Sequence, residues 1–240
     1  ASEIKQLYNM GSDKINTVSL ATAGGDTLKT GLVGWWTFDG ANMKNNVTDS
    51  SGQNNNGNMV GFGATSTAVV PGKLGQGLRF ADNDNAYVVT TSDLIGAGNV
   101  TFSAWVYMKS FGGGGAGRVI SNGKFALRVQ NIGGGRLYFS SDNETSSAVS
   151  ASGSFLPNKW YFVTVTRTSA TTANANIYIN GVLSGTANQN SGTPASTVNP
   201  DYVSRGVATG VAFNGYIDDV RLYNRILSIS EIRQLNNMGR

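Results

Sequence analysis

The sequence predicts an all-β protein built from two antiparallel sheets. From Gly31 onward, short apolar or alternating segments recur between turn residues, which is the pattern of strands in a β-sandwich. Charged residues make up only 13% of the chain and glycine contributes 32 residues, a composition typical of a loop-rich β protein. The segment 179–182, Ile-Asn-Gly-Val, predicts a tight hairpin, because Asn-Gly tolerates the positive φ angles of a type I′ turn.

The predicted strands share short length and β-branched or aromatic residues. They lie at residues 31–39, 77–81, 86–90, 100–108, 118–121, 124–130, 136–141, 159–168, 175–181 and 215–224. The alternation of Phe102, Ala104 and Val106 predicts one strand face toward a core. We also expect the following large side chains to face inward, as core and not as ligand surfaces: Trp36, Phe38, Phe80, Trp105, Trp160 and Val220.

An internal repeat suggests how the parent protein is organised. Residues 2–11 and 230–239 match in eight of ten positions. In the second copy, Ser228 and Glu231 form a capping-box pattern with Leu227 and Ile232 as a hydrophobic staple, so a short helix is predicted to end at Gly239. Because the first copy lacks this cap, we interpret residues 1–11 as the tail of a preceding domain in a tandem array.

Residues 12–30 are small and polar, as expected of a linker, although Val18–Leu20 could instead add an edge strand to the domain. Residues 31–240 are then one large β domain. This length suits a single β-sandwich.

Composition excludes several functions. The chain contains no cysteine and no histidine, so disulfides, catalytic triads with histidine and typical zinc sites are excluded. The net charge is +4, but the 18 basic residues are scattered, which argues against a nucleic-acid partner. No apolar stretch approaches the roughly 20 residues needed to span a bilayer, so no membrane insertion is expected.

Several segments in one order resemble laminin-G-like domains of the concanavalin A-like lectin and glucanase class. They are GLVGWWTFDG at 31–40, DSSGQNNNGNMVG at 49–61, GKLGQGLRF at 72–80, FSAWV at 102–106, NKWYFVTVTRT with IYINGVL at 158–183, and GYIDDVRLYNRILSISEI at 215–232. The resemblance covers about residues 31–240. It implies a jelly-roll sandwich of two sheets and a short C-terminal helix, in a secreted or cell-surface protein.

The resemblance also implies a structural calcium ion where the first and last strands meet. Asp39 and Asp218 lie on the matching segments, and the region around Gly57 is rich in oxygen donors, which Ca²⁺ prefers. We therefore expect Asp39, Asp218 and the Gly57 backbone to bind Ca²⁺. In the alternative, Asp39 caps the turn into Gly40, and Asp218 and its neighbour form surface ion pairs with Arg221 or Arg225.

We expect no catalytic activity and name no catalytic residue. Retaining glucanases need two carboxyl groups about 5 to 5.5 Å apart. The chain has three glutamates, of which Glu3 and Glu231 belong to the repeat, so Glu144 stands alone beside Asp142 in a polar segment that resembles a turn. An inverting pair of Asp142 with a distant aspartate, at position 82 or 84, is the open alternative.

The expected function is therefore a carbohydrate-binding or adhesion module of a larger extracellular protein. The candidate ligand-binding residues lie at strand ends or in loops, and they are Tyr107, Phe111, Tyr138, Asn143 and Tyr202. The alternative for each is local packing. The expected partner is a polysaccharide or other glycan, or neighbouring surface-protein domains. A structural spacer without a glycan ligand is the competing function, and a glycoside hydrolase or lyase is a third.

Overall fold

The computed structural model describes residues 27–40, 43, 46–63, 68–81, 86–96, 98–122, 125–141, 147–168, 173–189, 200–205 and 211–240. The chain divides into two compact units, Ala1–Thr30 and Gly31–Arg240. In the first unit, a turn at residues 27–30 is closed by the Thr30 amide, which donates to the Thr27 carbonyl over 3.2 Å. The predicted tail at residues 1–11 and the possible edge strand at Val18–Leu20 lie outside the described residues.

The second unit consists of two antiparallel sheets, as predicted. Its strands are β1 (Leu32–Trp36), β2 (Asn46–Val47), β3 (Gly57–Val60), β4 (Val69–Pro71), β5 (Gln76–Phe80), β6 (Tyr87–Thr90), β7 (Val100–Ser110), β8 (Arg118–Ser121), β9 (Phe125–Gln130), β10 (Arg136–Ser141), β11 (Ala148–Val149), β12 (Trp160–Arg167), β13 (Ala173–Ile179), β14 (Val182–Gln189), β15 (Tyr202–Val203) and β16 (Asn214–Tyr223). A 3₁₀ turn at Gly113–Gly115 follows β7, and helix α1 (Ile229–Met238) follows β16.

The first sheet has the strand order β14-β13-β12-β7-β16-β5-β4, and β1 also pairs with β16. Strand β16 pairs with β5 over Gly215–Ile217 and with β1 over Val220–Tyr223. The change of partner falls at a β-bulge, where Asp219 adopts a φ of 48°. The predicted pairing of the first and last strands is confirmed, because Trp36 lies opposite Val220.

The second sheet has the order β11-β10-β9-β8-β15-β6-β3-β2. The short strands β2, β4, β11 and β15 were not predicted, because two or three residues are too few to show an alternating pattern. Strand β15 joins two longer strands of this sheet, because Tyr202 pairs with Val89 of β6 on one side and with Ser121 of β8 on the other.

The core lies between the two sheets. Phe102, Ala104 and Val106 of β7 face inward as predicted, and they share one buried cluster with residues of the second sheet such as Leu127 and Val129. Each large side chain buried there stabilises the fold by about 1.5 to 3 kcal/mol.

Two tryptophans predicted to lie in this core do not belong to it. Because successive side chains of a strand point to opposite faces, a core position for Ala104 and Val106 places Trp105 on the outer face of the first sheet. The same alternation places Trp160 on the outer face, because Tyr161 is part of the core cluster. The prediction that Trp105 and Trp160 face the space between the sheets was therefore wrong, although Trp105 is buried as expected, at 3% exposure.

Helix α1 forms as its sequence predicts. The capping box is present, with the Glu231 amide donating to Ser228 Oγ over 3.3 Å and the Ser228 amide donating to Glu231 Oε2 over 2.8 Å. The staple residues Leu227 and Ile232 are both buried, and Gly239 is the C-cap. Among the described residues, no helix combines the length and the apolar content that crossing a bilayer requires.

Candidate functional site

Three neighbouring strands carry three aromatic side chains in one row on the outer face of the first sheet. Trp160 of β12 lies opposite Tyr107 of β7, and Tyr107 lies opposite Tyr216 of β16. The Tyr107 and Tyr216 rings are nearly parallel, and their centroids are 5.2 Å apart. The centroids of the Tyr107 and Trp160 rings are 5.6 Å apart. All three side chains are half-buried. We call these three residues the aromatic row.

Polar groups border the aromatic row. The Lys109 ammonium lies 4.7 Å from the centre of the Tyr216 ring, and Asn214 Nδ2 donates to Ser110 Oγ over 2.8 Å. Lys109 and Ser110 are exposed. Flat aromatic faces beside amide, hydroxyl and ammonium groups can pack against the C–H face of a sugar ring and hydrogen-bond with its hydroxyls.

The next row on the same strands is covered. Trp105 lies opposite Phe162 of β12 and Asp218 of β16, and we call these three residues the covered row. Trp105 and Phe162 have ring centroids 5.3 Å apart and are 3% and 1% exposed. Helix α1 ends against this row, because a Cβ placed on Gly239 would lie 2.4 Å from the Trp105 ring. The open part of the face therefore begins at the aromatic row.

The structure separates the other predicted ligand residues from Tyr107. Phe111 follows β7 but packs against the core cluster. Tyr138 and Tyr202 lie in β10 and β15 of the second sheet, where Arg128 stacks 5.7 Å from the Tyr138 ring and Tyr87 lies 5.8 Å from the Tyr202 ring.

The remaining predicted ligand residue, Asn143, lies outside the described residues. Sequence reasoning missed Trp160 and Tyr216 as partners of Tyr107. The period-2 alternation around Tyr161 and Ile217, which are both core residues, could have placed them on the outer face.

The two predicted calcium aspartates meet at one turn. The turn joins β4 to β5 and is closed by the Gly72 amide, which donates to the Gly75 carbonyl over 3.0 Å. Asp218 Oδ2 accepts from the Lys73 and Leu74 amides over 2.7 and 2.8 Å. Asp39 Oδ1 accepts from the amide of residue 76, also over 2.7 Å. The two carboxylates therefore hold one turn through its backbone N–H groups.

Asp218 also carries an oxygen to which a cation could bind. Asp218 is fully buried, and its Oδ1 accepts no hydrogen bond within the described part of the chain. Burial raises the pKa of Asp218 to about 7, although the amides of Leu74 and Lys73 lower it, and the charge of Asp219 raises it further. A buried carboxylate oxygen without a partner fits either a proton or a Ca²⁺ ion.

Gly57 does not join the two aspartates. It lies in β3 of the second sheet, where a Cβ would be 2.5 Å from Val88 Cγ1 and 3.9 Å from Trp36 Nε1. These are contacts of the interior, whereas Asp218 is on the outer side of the first sheet. No three acidic side chains of the described residues lie close enough together to share a metal ion. A calcium ion at Asp39 and Asp218 stays a prediction.

The carboxylate in the oxygen-rich loop near Gly57, that of Asp49, is engaged by amides and a hydroxyl of the loop and of β1. The Asp49 carboxylate accepts from the Trp35 amide over 2.8 Å, from the amide and hydroxyl of Ser51 over 2.8 and 2.7 Å, and from the Asn55 amide over 2.9 Å. These bonds fold the loop onto itself in an Asx-type turn. Both oxygens of the Asp49 carboxylate therefore serve to hold this loop.

The ion pairs that we considered as the alternative to a calcium site differ from the expected ones in burial or in partner. Arg221 pairs with Asp219 over 3.2 Å, but this pair is buried and Asp219 also accepts from Trp35 Nε1 over 2.6 Å. Arg225 pairs with Glu231 over 2.7 Å. Glu231 is therefore part of the helix cap. The other carboxylates considered for catalysis lie outside the described residues, at positions 3, 82, 84, 142 and 144.

The two-sheet jelly roll places the chain among the concanavalin-like sandwiches. A laminin G-type family model, described as the concanavalin A-like lectin/glucanases superfamily, matches residues 82–233, and the chain belongs to this superfamily. No curated protein matches its sequence.

Solved structures with a similar fold include binding domains of toxins and a domain of an arabinanase. The binding domain of Paraclostridial Mosquitocidal Protein 1 has a TM-score of 0.67 at 18% identity, over 88% of this chain and 53% of that one. Domain 4 of AbnA, an extracellular arabinanase from Geobacillus stearothermophilus solved with arabinotriose, has a TM-score of 0.65 at 17% identity, over 85% of this chain and 98% of that one.

A binding domain of botulinum neurotoxin DC, solved with rat synaptotagmin II, has a TM-score of 0.61 at 18% identity, over 88% of this chain and 52% of that one. The chain thus spans about half the length of the toxin domains that it resembles. At these identities the similarity shows the fold.

Proposed function

We propose that the chain is a non-catalytic carbohydrate-binding module of a larger extracellular protein, and that the aromatic row is its sugar-binding surface. The observation that carries this proposal is the alignment of Trp160, Tyr107 and Tyr216 across three strands on an outer face. Cross-strand partners sit about 5 Å apart, so the row offers a continuous apolar strip along which consecutive sugar rings can pack.

The comparisons support the proposal in general terms. The arabinanase domain was solved with arabinotriose, and cell entry of botulinum neurotoxin type C, a chain of which has a TM-score of 0.64 at 20% identity, is dependent upon interaction with two ganglioside molecules. Both ligands carry sugars. A polysaccharide or a glycan headgroup is therefore the ligand class that we propose for this chain. We also propose that the protein is secreted or lies at the cell surface.

The experiment is a glycan screen followed by alanine variants. We expect the wild-type chain to be retained in affinity gels containing at least one polysaccharide of a panel of arabinan, laminarin, alginate and chitin, or to bind a glycan array. Trp160→Ala and Tyr216→Ala should each weaken that binding by about tenfold or more, corresponding to about 1.4 kcal/mol. Their melting temperatures verify that the variants are folded.

Tyr138→Ala and Tyr202→Ala are the matched controls, because both remove a half-buried tyrosine from the second sheet. They should leave glycan binding unchanged. Loss of binding in these two variants, with normal binding by Trp160→Ala, would move the site to the second sheet.

A protein-contact role is the second candidate. Val182 and Leu183 follow the Asn180-Gly181 turn of the β13–β14 hairpin and are 63% and 53% exposed. Adjacent exposed aliphatic side chains on a hairpin suit a contact with a neighbouring domain. Absence of binding across the glycan panel would favour this spacer or adhesive function.

A further inference from the structure

Two arginines lie directly opposite each other on the outer face of the second sheet. Arg118 of β8 pairs with Arg128 of β9, and Arg128 pairs in turn with Tyr138 of β10. Leu127 and Val129 belong to the core cluster, so Arg128 between them points away from the core. Because directly opposed residues of an antiparallel pair share one face, Arg118 lies beside Arg128 on this outer face. We call Arg118 and Arg128 the arginine pair.

The surrounding structure holds both arginines in place. Strand β8 is bonded on both sides at this position, to β9 and to a neighbouring segment, because the Arg118 amide donates to the Val211 carbonyl over 2.9 Å. The guanidinium carbon of Arg128 lies 5.7 Å from the centre of the Tyr138 ring, which is a cation–π contact. Both arginine side chains are half-buried. The arginine pair is therefore a fixed feature of the sheet.

The two positive charges of the arginine pair lack a counter-charge. Within the described part of the chain, neither Arg118 nor Arg128 forms an ion pair or a side-chain hydrogen bond, and Arg128 Nε is buried without a partner. Burial lowers the pKa of Arg128, and the charge of Arg118 lowers it further, whereas Tyr138 raises it. Like charges directly opposite each other on neighbouring strands destabilise a sheet. An anion at this place would relieve that repulsion.

We propose that the arginine pair binds a phosphate group with two negative charges, as in inorganic phosphate or a phosphate monoester. Arginine presents a planar fork of N–H donors that matches phosphate oxygens, and such charge-assisted hydrogen bonds are the strong ones. A phosphate monoester carries a charge of about −1.5 to −2 at pH 7, so it compensates two guanidinium groups. A carboxylate has one charge and two oxygens, which a single arginine can satisfy.

This site goes beyond the proposed sugar binding, because the arginine pair belongs to the second sheet and the aromatic row to the first. Free phosphate and a phosphorylated sugar would present the same group to it. The basic residues that are scattered in the sequence therefore include two that strand pairing brings together.

The test is a titration of the full chain with inorganic phosphate near neutral pH at low salt, followed by heteronuclear NMR. We expect saturable shifts of the amide signals of β8 and β9. Arg118→Gln and Arg128→Gln should each weaken the binding by about tenfold or more, because each removes one charged fork. Without phosphate, Arg118→Gln should melt no lower than the wild type, because the repulsion across the strands is removed. Arg118→Gln serves alone if Arg128→Gln does not fold.

Arg233→Gln is the matched control, because it also removes one positive charge, from an exposed position of helix α1. Arg233→Gln and Trp160→Ala should both bind phosphate like the wild type. The proposal is overturned if the wild type shows no saturable binding, if both variants of the arginine pair bind normally, or if Arg233→Gln loses as much affinity as they do. Normal phosphate binding by Trp160→Ala separates this result from that of the sugar screen.

Two further titrations define the ligand, and both use Trp160→Ala so that sugars do not bind the aromatic row. Dimethyl phosphate, with one negative charge, should bind at least about tenfold more weakly than inorganic phosphate, and equal binding would contradict a site for two charges. A glucose phosphate that binds more tightly than inorganic phosphate, while glucose does not bind, would assign the site to a phosphorylated sugar. The reverse order would assign it to the free ion.

Discussion

The aromatic row and the covered row lie two residues apart on the same three strands, and they differ in what lies above them. In the covered row, the end of helix α1 packs against Trp105, and Trp105 and Phe162 are almost fully buried. The aromatic row, with Tyr107 and Trp160, stays half-open. Whether an outward aromatic side chain of this sheet is buried or half-open therefore depends on contacts such as that of Trp105 with the end of a helix that starts more than 100 residues after β7.

The largest expected difference between the rows is in stability. Trp105→Ala should lower the free energy of unfolding by about 3 to 5 kcal/mol, because it opens a cavity under the helix. Trp160→Ala should cost about 1 kcal/mol, as expected for a half-exposed cross-strand aromatic pair. Urea denaturation of both variants measures the difference. Equal losses would contradict the distinction between a covered and an open row.

A methyl group at the helix end should disturb only the covered row. In Gly239→Ala, the new Cβ would lie 2.4 Å from the Trp105 ring, so the helix end or the indole must shift. We expect a loss of about 1 to 3 kcal/mol, which is typical of overpacking, in a thermal or urea unfolding experiment.

Gly98→Ala is the control for Gly239→Ala, because a Cβ at Gly98 would meet no atom within 4 Å and its backbone is unstrained. It should change the stability by less than about 0.5 kcal/mol. Glycan binding at the aromatic row should be the same in both variants. An equally stable Gly239→Ala would show that the helix does not close tightly on Trp105.

The smallest effect concerns the pH dependence of the helix that covers Trp105. The hydrogen bond from Arg225 lowers the pKa of Glu231 from 4.5 to about 2. A carboxyl group whose pKa is lower in the folded state stabilises the fold fully above pH 4.5, and this contribution is lost as the pH falls toward 2. We expect Glu231→Gln to be less stable than the wild type at pH 7.

At pH 2, most of that stability difference should be lost, because the carboxyl group is then about half protonated in the folded wild type and almost fully protonated in the unfolded chain. Urea unfolding of both proteins at the two pH values checks this. A difference that is independent of pH would mean that the Arg225 pair does not stabilise the helix. Ser228→Ala is a useful companion, because it removes the cap and keeps the carboxylate.

The sequence allowed the fold to be predicted, but only one residue of the aromatic row. The cap at Ser228 could be predicted because it depends on a local pattern, whereas the pairing of Trp36 with Val220 was expected only from the family resemblance. Tyr107 was found as a candidate, but its partners Trp160 and Tyr216 were not. They are 53 and 109 residues away, and only the strand order brings them together.

The contact between Asp201 and Thr90 shows the same limit. The Asp201 amide donates to Thr90 Oγ1 over 2.9 Å, although the two residues are 111 positions apart in the sequence. Their proximity depends on β15, a strand of two residues that no alternating pattern could reveal. Asp49 is the converse case, since its dense polar segment suggested an ion site, whereas both oxygens of its carboxylate accept hydrogen bonds from its own turn and from β1.

The sequence by itself determined the two antiparallel sheets, the tight Asn180-Gly181 hairpin and the capped helix, because alternation, turn residues and caps act between neighbours in the chain. The tertiary structure decided which aromatic side chains stay open and which carboxylates meet. Both depend on strand order and on the docking of helix α1, and these arise from contacts between distant segments whose pairing no local pattern specifies.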